Sequence, residues 1–157
     1  ALGARCGAVD LSAACAGFVY GLSFAAGQIA AGLAGTVLLV GADVITRNLD
    51  WQDAVTCPIF GDGAGAVVLG PSAEAHRGVQ AVVTGSDGTG AELLRLDAGG
   101  VASMKAGQMQ GDPFVRMDGK AIYRQATRHL SNTVGAVLEK AGWALDTVDW
   151  LAPHQAC

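Results

Sequence analysis

The stretch Ser12-Ala13-Ala14-Cys15-Ala16-Gly17-Phe18 decides the fold, because a short apolar segment ends in it and a helical pattern begins. The preceding residues Ala8–Leu11 are short and apolar enough to form a strand. From Cys15 onward, apolar residues recur at spacings of three and four, which predicts a helix that stops at Gly35. The apolar positions are Phe18, Leu22, Ala25, Ile29 and Leu33.

Outward from this stretch, strand and helix patterns alternate along the chain. Four more strands are predicted, at Val37–Val40, Val67–Leu69, Val79–Thr84 and Val148–Leu151. A second helix with an apolar stripe is predicted to follow Asp118-Gly119 and to end at Gly142. The glycine-rich residues 86–113 indicate a long connection between two such parts. The repeated order strand, helix, strand predicts an α/β protein built in layers.

The composition favours a packed enzyme over several other classes of protein. Of the 157 residues, 51% are hydrophobic and 15% are charged, which supplies a core and little material for disorder. The net charge of −4 argues against nucleic-acid binding. The cysteines and histidines lack the spacing of a zinc site or a disulfide framework, which indicates reduced thiols and a cytoplasmic enzyme. The cysteines are Cys6, Cys15, Cys57 and Cys157.

The chain carries no charge between Asp10 and Asp43, a length that would also suit a membrane-spanning helix. Polar residues and glycines dilute this stretch, and Gly35-Thr36 separates its helical part from a β-branched run. A buried helix between two strands has the same pattern. We therefore expect no membrane segment.

Cys15 and His154 are the candidate catalytic residues. Cys15 stands where a strand gives way to a helix, and the N–H groups at a helix start favour an anionic sulfur. The alternative is a buried cysteine that serves as a small hydrophobic residue. His154 follows the last predicted strand, at the edge where α/β folds place their chemistry. His76 and His129 are instead predicted to be solvated surface residues.

Two further patterns have competing interpretations. Gly61-Asp62-Gly63-Ala64-Gly65 lacks the Lys-Ser/Thr of a phosphate-binding loop, so Asp62 is predicted to be a turn or capping residue instead of a base. Lys120, Arg124 and Arg128 are spaced by four and share one helix face. That face is either ordinary solvated surface or a positive patch for an acidic partner.

Four segments together resemble the β-ketoacyl-ACP synthase III family of the thiolase-like superfamily. They are Ala13–Phe18, Val40–Asp43, Phe60–Ala66 and Pro153–Ala156, and they stand in family order. The resemblance implies a partial, thiolase-like αβαβα layered fold that covers about the middle half of a family chain. Residues 1–86 would end the N-terminal half with the nucleophile, residues 87–111 would be the connection, and residues 112–157 would begin the C-terminal half with the catalytic histidine.

The resemblance also implies a chemistry and a set of roles. A homodimeric enzyme without a cofactor would condense an acyl-CoA with malonyl-ACP, using Cys15 as nucleophile and His154 to stabilise the developing enolate, and so initiate fatty acid synthesis. Ile45 and Phe60 match residues of the acyl pocket, and Gly119 matches a residue near the pantetheine arm. Arg124 matches a basic position of the docking face for the acyl carrier protein, which favours a positive patch of Lys120, Arg124 and Arg128. Gln155, Ala156 and Cys157 begin the segment that contacts the carrier protein in the family.

Two positions depart from the family pattern. The family usually carries asparagine at position 157, where this chain has Cys157. Ala54 stands where many members have an arginine that packs on the adenine of CoA. The alternatives are therefore a starter-unit ketosynthase or acyltransferase of polyketide or other secondary metabolism, and a non-catalytic subunit that serves as a dimer partner.

Overall fold

The computed structural model describes residues 3–100, 103–105 and 107–155. Two α-helices, α1 (Gly17–Ala30) and α2 (Gly119–Ala141), and six strands form within these residues. The strands are β1 (Val37–Asp43), β2 (Gly63–Leu69), β3 (Leu94–Leu96), β4 (Met104–Lys105), β5 (Gln108–Met109) and β6 (Val115–Met117). Short 3-10 helices cover Ala14–Ala16, Thr46–Asn48, Gly88–Leu93 and Leu145–Thr147.

The chain divides into two compact units. The first unit contains the residues up to Gly41 together with Gly65–Val82. The second contains Ala42–Ala64 and the residues from Val83 onward. Strands β1 and β2 pair with each other, and most of both strands lies in the first unit.

In the first unit, α1 packs closely on β1. Gly21 is buried, and a Cβ built on it would lie 2.6 Å from Cδ1 of Leu39. Ala25, one turn further along α1, is 1% exposed. Small residues at these two positions let the helix approach the strand, which is the close packing that a glycine within a helix permits at some cost in helix propensity.

In the second unit, β3 and β6 pair antiparallel and lead into α2. Their register places Arg95 opposite Arg116, a like-charge pair that is unfavourable unless each guanidinium has its own partners. Arg95 has them in Glu92 and Asp97, at 2.6 and 2.8 Å. The Asp118 carboxylate caps α2 by accepting the Ala121 N–H at 3.0 Å, and the helix stops at Gly142, whose φ of 70° is left-handed.

The second predicted helix and the strands at Val37–Val40 and Val67–Leu69 are confirmed. The first predicted helix is confirmed in part: it begins as a 3-10 turn and ends at Ala30, before the predicted stop at Gly35. The predictions of strands at Ala8–Leu11, Val79–Thr84 and Val148–Leu151 are wrong for the described residues, which form no regular element there. Val148 has an extended backbone, with φ −87° and ψ 114°. An extended segment becomes a strand only when its backbone groups pair with a neighbouring strand, and local sequence does not encode that neighbour.

Candidate active site

Cys15 occupies the centre of the 3-10 turn Ala14–Ala16, and α1 continues directly from this turn. The turn is closed by the Ala16 N–H, which donates to the Ala13 carbonyl at 3.0 Å. The thiol is free and exposed. Within the described residues Cys15 is not part of a packed core, and its sulfur stands at the start of a helix, where backbone N–H groups have no acceptor within the helix.

The backbone immediately before Cys15 is strained. Ala14 has a φ of 45°, which is the left-handed region that residues with a Cβ seldom adopt. Strain of this kind persists only where the surrounding structure enforces it, and it is concentrated at functional sites. The sharp bend at Ala14 turns the chain into α1 and leaves Cys15 at the exposed corner.

His154 is exposed and lies in the irregular segment that follows the 3-10 helix Leu145–Thr147. Nearby Trp150, within the predicted strand Val148–Leu151, is 89% exposed. Cys15 belongs to the first unit and His154 to the second. The predicted carrier-protein contact Gln155 is also exposed, whereas Ala156 and Cys157 lie outside the described residues.

A loop in the second unit contains one predicted acyl-pocket residue, Phe60, and directly follows the other, Ile45. We call residues 46–62 the 46–62 loop, because Asp62 bonds back to Thr46 at its neck. Oδ1 of Asp62 accepts the Thr46 N–H at 2.9 Å, and Oδ2 accepts the Thr46 hydroxyl at 2.7 Å. Ile45 directly precedes the loop, and Phe60 lies two residues before its end; both side chains are half-buried. Asp62 lies in no turn of its own glycine-rich segment, so in place of the predicted turn or local cap it binds a residue 16 positions away.

The hydrogen bonds from Thr46 also determine the charge of Asp62. The pKa of the Asp62 carboxyl lies below its ordinary value of 3.8, chiefly because the Thr46 N–H and then the Thr46 hydroxyl donate to the ionised form. Asp62 is therefore a carboxylate at neutral pH and acts purely as an acceptor.

Arg116 holds the outer part of the 46–62 loop. Its Nη1 lies 3.1 Å from Asp50 and 4.0 Å from Asp53, while its Nε donates to Asp112 at 2.5 Å. The hydrogen bond from Arg116 is also the first cause of a lowered pKa at Asp112. A second link is the Asn48 side-chain amide, which donates to the Pro113 carbonyl at 3.1 Å. The loop is thereby joined to the segment that enters β6.

Gly119, the predicted pantetheine-proximal residue, lies against the same loop. A Cβ added to Gly119 would be 3.8 Å from Cγ1 of Val55 and 3.6 Å from Cε of Met117. Ile45, Phe60 and Gly119 thus belong to the same unit, and Gly119 lies beside Val55 of the 46–62 loop. Ala54, next to Val55, is exposed.

The three cations predicted to share a face of α2 are exposed, as their spacing requires. At 1.5 Å per residue, Lys120, Arg124 and Arg128 extend over about 12 Å of the helix. Arg128 lies beside His129, with 3.4 Å between Nη2 and Nε2. Hydrogen bonds from Thr89 lower the pKa of the Asp87 carboxyl, and His129 and Arg128 lower it further by smaller amounts. Asp87 therefore partly offsets the positive charge at that end of the face.

Sequence reasoning missed Thr46 and Arg116 as parts of the site. Hydrogen bonds over 16 or 66 residues leave no local periodicity in the sequence. The sequence signals only that Asp62 is the one charged residue of segment 61–65 and that Thr46 is a hydroxyl residue of segment 43–58. The geometry of those two segments is needed to connect them.

The described residues contain neither a metal-binding cluster nor a membrane-spanning helix. Within residues 3–100, 103–105 and 107–155, no group of three or more His, Cys, Asp or Glu side chains is arranged to hold a metal ion. Neither of the helices in that part of the chain is long and apolar enough to cross a membrane.

Comparison with known proteins places this arrangement in a family. A sequence model of the family described as 3-oxoacyl-[acyl-carrier-protein (ACP)] synthase III matches residues 9–88. The beta-ketoacyl-[acyl-carrier-protein] synthase III of Paracoccus denitrificans is 47% identical over 99% of this chain and 48% of its own length. The chain therefore spans about half the length of the curated relatives it matches.

Solved structures agree with the sequence comparison. The 3-oxoacyl-(acyl carrier protein) synthase III of Pseudomonas aeruginosa has a TM-score of 0.80 and 42% identity, over 93% of this chain and 43% of its own. The priming beta-ketosynthase from the R1128 polyketide biosynthetic pathway has a TM-score of 0.72 and 34% identity, over 88% of this chain and 40% of its own. The predicted α/β, thiolase-like fold is confirmed by these neighbours, and the chain belongs to the 3-oxoacyl-[acyl-carrier-protein] synthase III family.

Proposed function

We propose that the protein containing this chain condenses an acyl group from acyl-CoA with malonyl-ACP, releases carbon dioxide and forms β-ketoacyl-ACP, the initiating step of fatty acid synthesis. The observation that carries the proposal is the exposed Cys15 thiol at a strained turn that opens a helix. Membership of the synthase III family supports it, since the relatives bear the name of this activity.

The first half-reaction transfers the acyl group to Cys15. The sulfur attacks the carbonyl carbon of acyl-CoA, the bond from that carbon to the CoA sulfur breaks, and the CoA thiolate leaves. The negative charge on the carbonyl oxygen would be stabilised by the Cys15 backbone N–H and a second amide. The product is a thioester on Cys15, which remains reactive toward a carbon nucleophile.

The second half-reaction forms the new carbon–carbon bond. Malonyl-ACP loses carbon dioxide, and the electron pair of the broken bond becomes an enolate of the carrier-bound thioester. His154 would donate a hydrogen bond to the enolate oxygen, which lowers the energy of the charge that develops there. The enolate carbon attacks the acyl-cysteine, and the Cys15 thiolate leaves as the β-ketoacyl-ACP forms.

The remaining predicted residues have binding roles in this proposal. Ile45 and Phe60 contact the acyl chain, and Gly119 leaves space for the pantetheine arm. The positive face of α2, with Gln155–Cys157, binds the acidic carrier protein. We further propose a cytoplasmic homodimer that needs no cofactor, in which residues 1–86 end one half of the fold, residues 87–111 connect, and residues 112–157 begin the other half.

A starter-unit ketosynthase or acyltransferase of a secondary-metabolite pathway is the second candidate. Ala54 favours it, because this position lacks the arginine that packs on the CoA adenine in many family members. A non-catalytic dimer partner is disfavoured, since Cys15 and His154 are both present. Strong turnover of acetyl-CoA or a branched acyl-CoA with malonyl-ACP by the complete protein would exclude the second candidate.

The direct test is covalent labelling of the complete protein with radioactive acyl-CoA. Wild-type protein should retain the label on Cys15, and Cys15→Ser should not. Cys57→Ser is the matched control, because it removes another free thiol without touching the proposed nucleophile. His154→Ala should still take up the label but fail to decarboxylate malonyl-ACP. Equal labelling of Cys15→Ser and wild type would end this mechanism.

A further inference from the structure

Hydrogen bonds between Asp62 and Thr46 join the two ends of the 46–62 loop and close its neck. The two carboxylate oxygens of Asp62 each accept one hydrogen bond from Thr46, at 2.9 Å from its N–H and 2.7 Å from its hydroxyl. Both oxygens are thus engaged with a single residue 16 positions away. A pair of bonds to a carboxylate restrains orientation as well as distance.

The two residues joined at the neck flank the two acyl-pocket residues. Thr46 directly follows Ile45, whose carbonyl accepts the Asn48 N–H at 2.9 Å. Asp62 follows Phe60 by two positions, and the Phe60 N–H donates to the Thr56 carbonyl at 3.2 Å. Each pocket residue is therefore fixed within its own turn, and the bonds of Asp62 set the separation between the two turns.

The body of the loop is held independently of its neck. Leu49 is 2% exposed, and Thr56 is fully buried, with its hydroxyl donating to Asp53 at 2.8 Å. Arg116 binds the loop through Asp50 at 3.1 Å. Because these contacts survive a change at Asp62, such a change would loosen the neck while the loop stays attached.

We propose that Asp62 is a positioning residue for acyl-chain selectivity: its two hydrogen bonds to Thr46 hold Ile45 and Phe60 at the separation that excludes longer acyl groups. Asp62 acts through these neighbours and touches no reacting atom. The inference rests on the proposed function, in which Ile45 and Phe60 contact the acyl chain.

The chain offers matched variants for a test. Asp62→Asn keeps the shape of the side chain but replaces one acceptor oxygen with an amide group that donates. Thr46→Val removes the hydroxyl and keeps the backbone N–H, whereas Thr46→Ser keeps both donors. Asp87→Asn is the control, because Asp87 also accepts an N–H and a hydroxyl from one threonine, Thr89 at 3.0 and 2.6 Å, but within a single local turn.

The experiment measures kcat/KM of the complete protein for acetyl-CoA and for hexanoyl-CoA, after labelling has shown that wild type is acylated on Cys15. In Asp62→Asn and Thr46→Val, the acetyl-to-hexanoyl ratio should fall about tenfold, the range over which apolar pockets discriminate by chain length. Thr46→Ser and Asp87→Asn should keep the wild-type ratio. If Asp62→Asn does not fold, the acetyl-to-hexanoyl ratio of Thr46→Val tests the inference instead.

Four results would overturn the inference. A uniform loss of kcat/KM for both donors would show that Asp62 only supports the fold. An equal change of the ratio in Asp87→Asn would show that any lost cap has this effect. Wild-type protein that takes up no acyl label would refute the proposed function and the inference with it, whereas labelled wild type with an unchanged ratio in the variants refutes only the role of Asp62.

Discussion

The strained backbone before Cys15 predicts that Ala14→Gly stabilises the protein and weakens the site. A residue with a Cβ in the left-handed region loses about 1–2 kcal/mol, and glycine removes that loss. Glycine also has more freedom in the unfolded chain, which opposes the gain by about 0.5–1 kcal/mol. The net expectation is a stabilisation of up to about 1.5 kcal/mol.

Thermal unfolding of the complete protein measures this difference. For a domain of 150–250 residues, such a gain raises Tm by up to roughly 6 °C. Gly142→Ala is the reverse control, since Gly142 has a φ of 70° and open space around a built Cβ, so that only the backbone conformation changes. It should lower the stability by about 1 kcal/mol.

The same variant tests the link between strain and chemistry. Without the restraint of a Cβ at position 14, Cys15 samples more orientations, so acylation of Cys15 by acyl-CoA should become slower while stability rises. A lower Tm for Ala14→Gly, with a lower Tm for Gly142→Ala in the same assay, would refute the argument, because position 14 would then not be strained. A higher Tm with unchanged acylation would show that the strain at position 14 affects stability and not the acylation of Cys15.

Gly21→Ala should destabilise the protein by about 0–2 kcal/mol, since overpacking against Leu39 costs about 1–3 kcal/mol and the better helix propensity of alanine returns about 1 kcal/mol. In a double-mutant cycle measured by urea midpoints, Leu39→Ala should change the effect of Gly21→Ala. Strictly additive effects of the two substitutions would contradict the packing of Gly21 against Leu39. Because the folded pKa of Asp62 is below 3.8, its stabilising contribution is present above that pH and is lost as the pH falls through the folded pKa. The Tm difference between wild type and Asp62→Asn should accordingly be largest near neutral pH and shrink below about pH 4, whereas a constant difference would argue against an ionised Asp62. Arg124→Glu should raise KM for malonyl-ACP about tenfold with acylation by acyl-CoA unchanged, and equal effects on both half-reactions would place Arg124 outside the docking face.

Local signals in the sequence were sufficient for the second helix and for the helical start at Cys15. The three- and four-residue spacing after Cys15 predicted α1, and the stop at Gly142 followed from the need for a left-handed residue at a helix end. The strand predictions were less successful. Val148–Leu151 has strand-like residues, but a strand exists only through its partner, and no local pattern names that partner.

The sequence by itself determined that a helix follows Cys15, that Gly142 ends the second helix and that Lys120, Arg124 and Arg128 share one helix face. These features depend on residues within a few positions, where backbone geometry and periodicity act directly. Only the tertiary structure decided which residue Asp62 binds, that Arg116 joins the 46–62 loop to β6, and that Ala14 is forced into a left-handed bend before Cys15. Those contacts bring distant segments together, so their geometry is set by packing of the whole unit and not by the amino acids beside them.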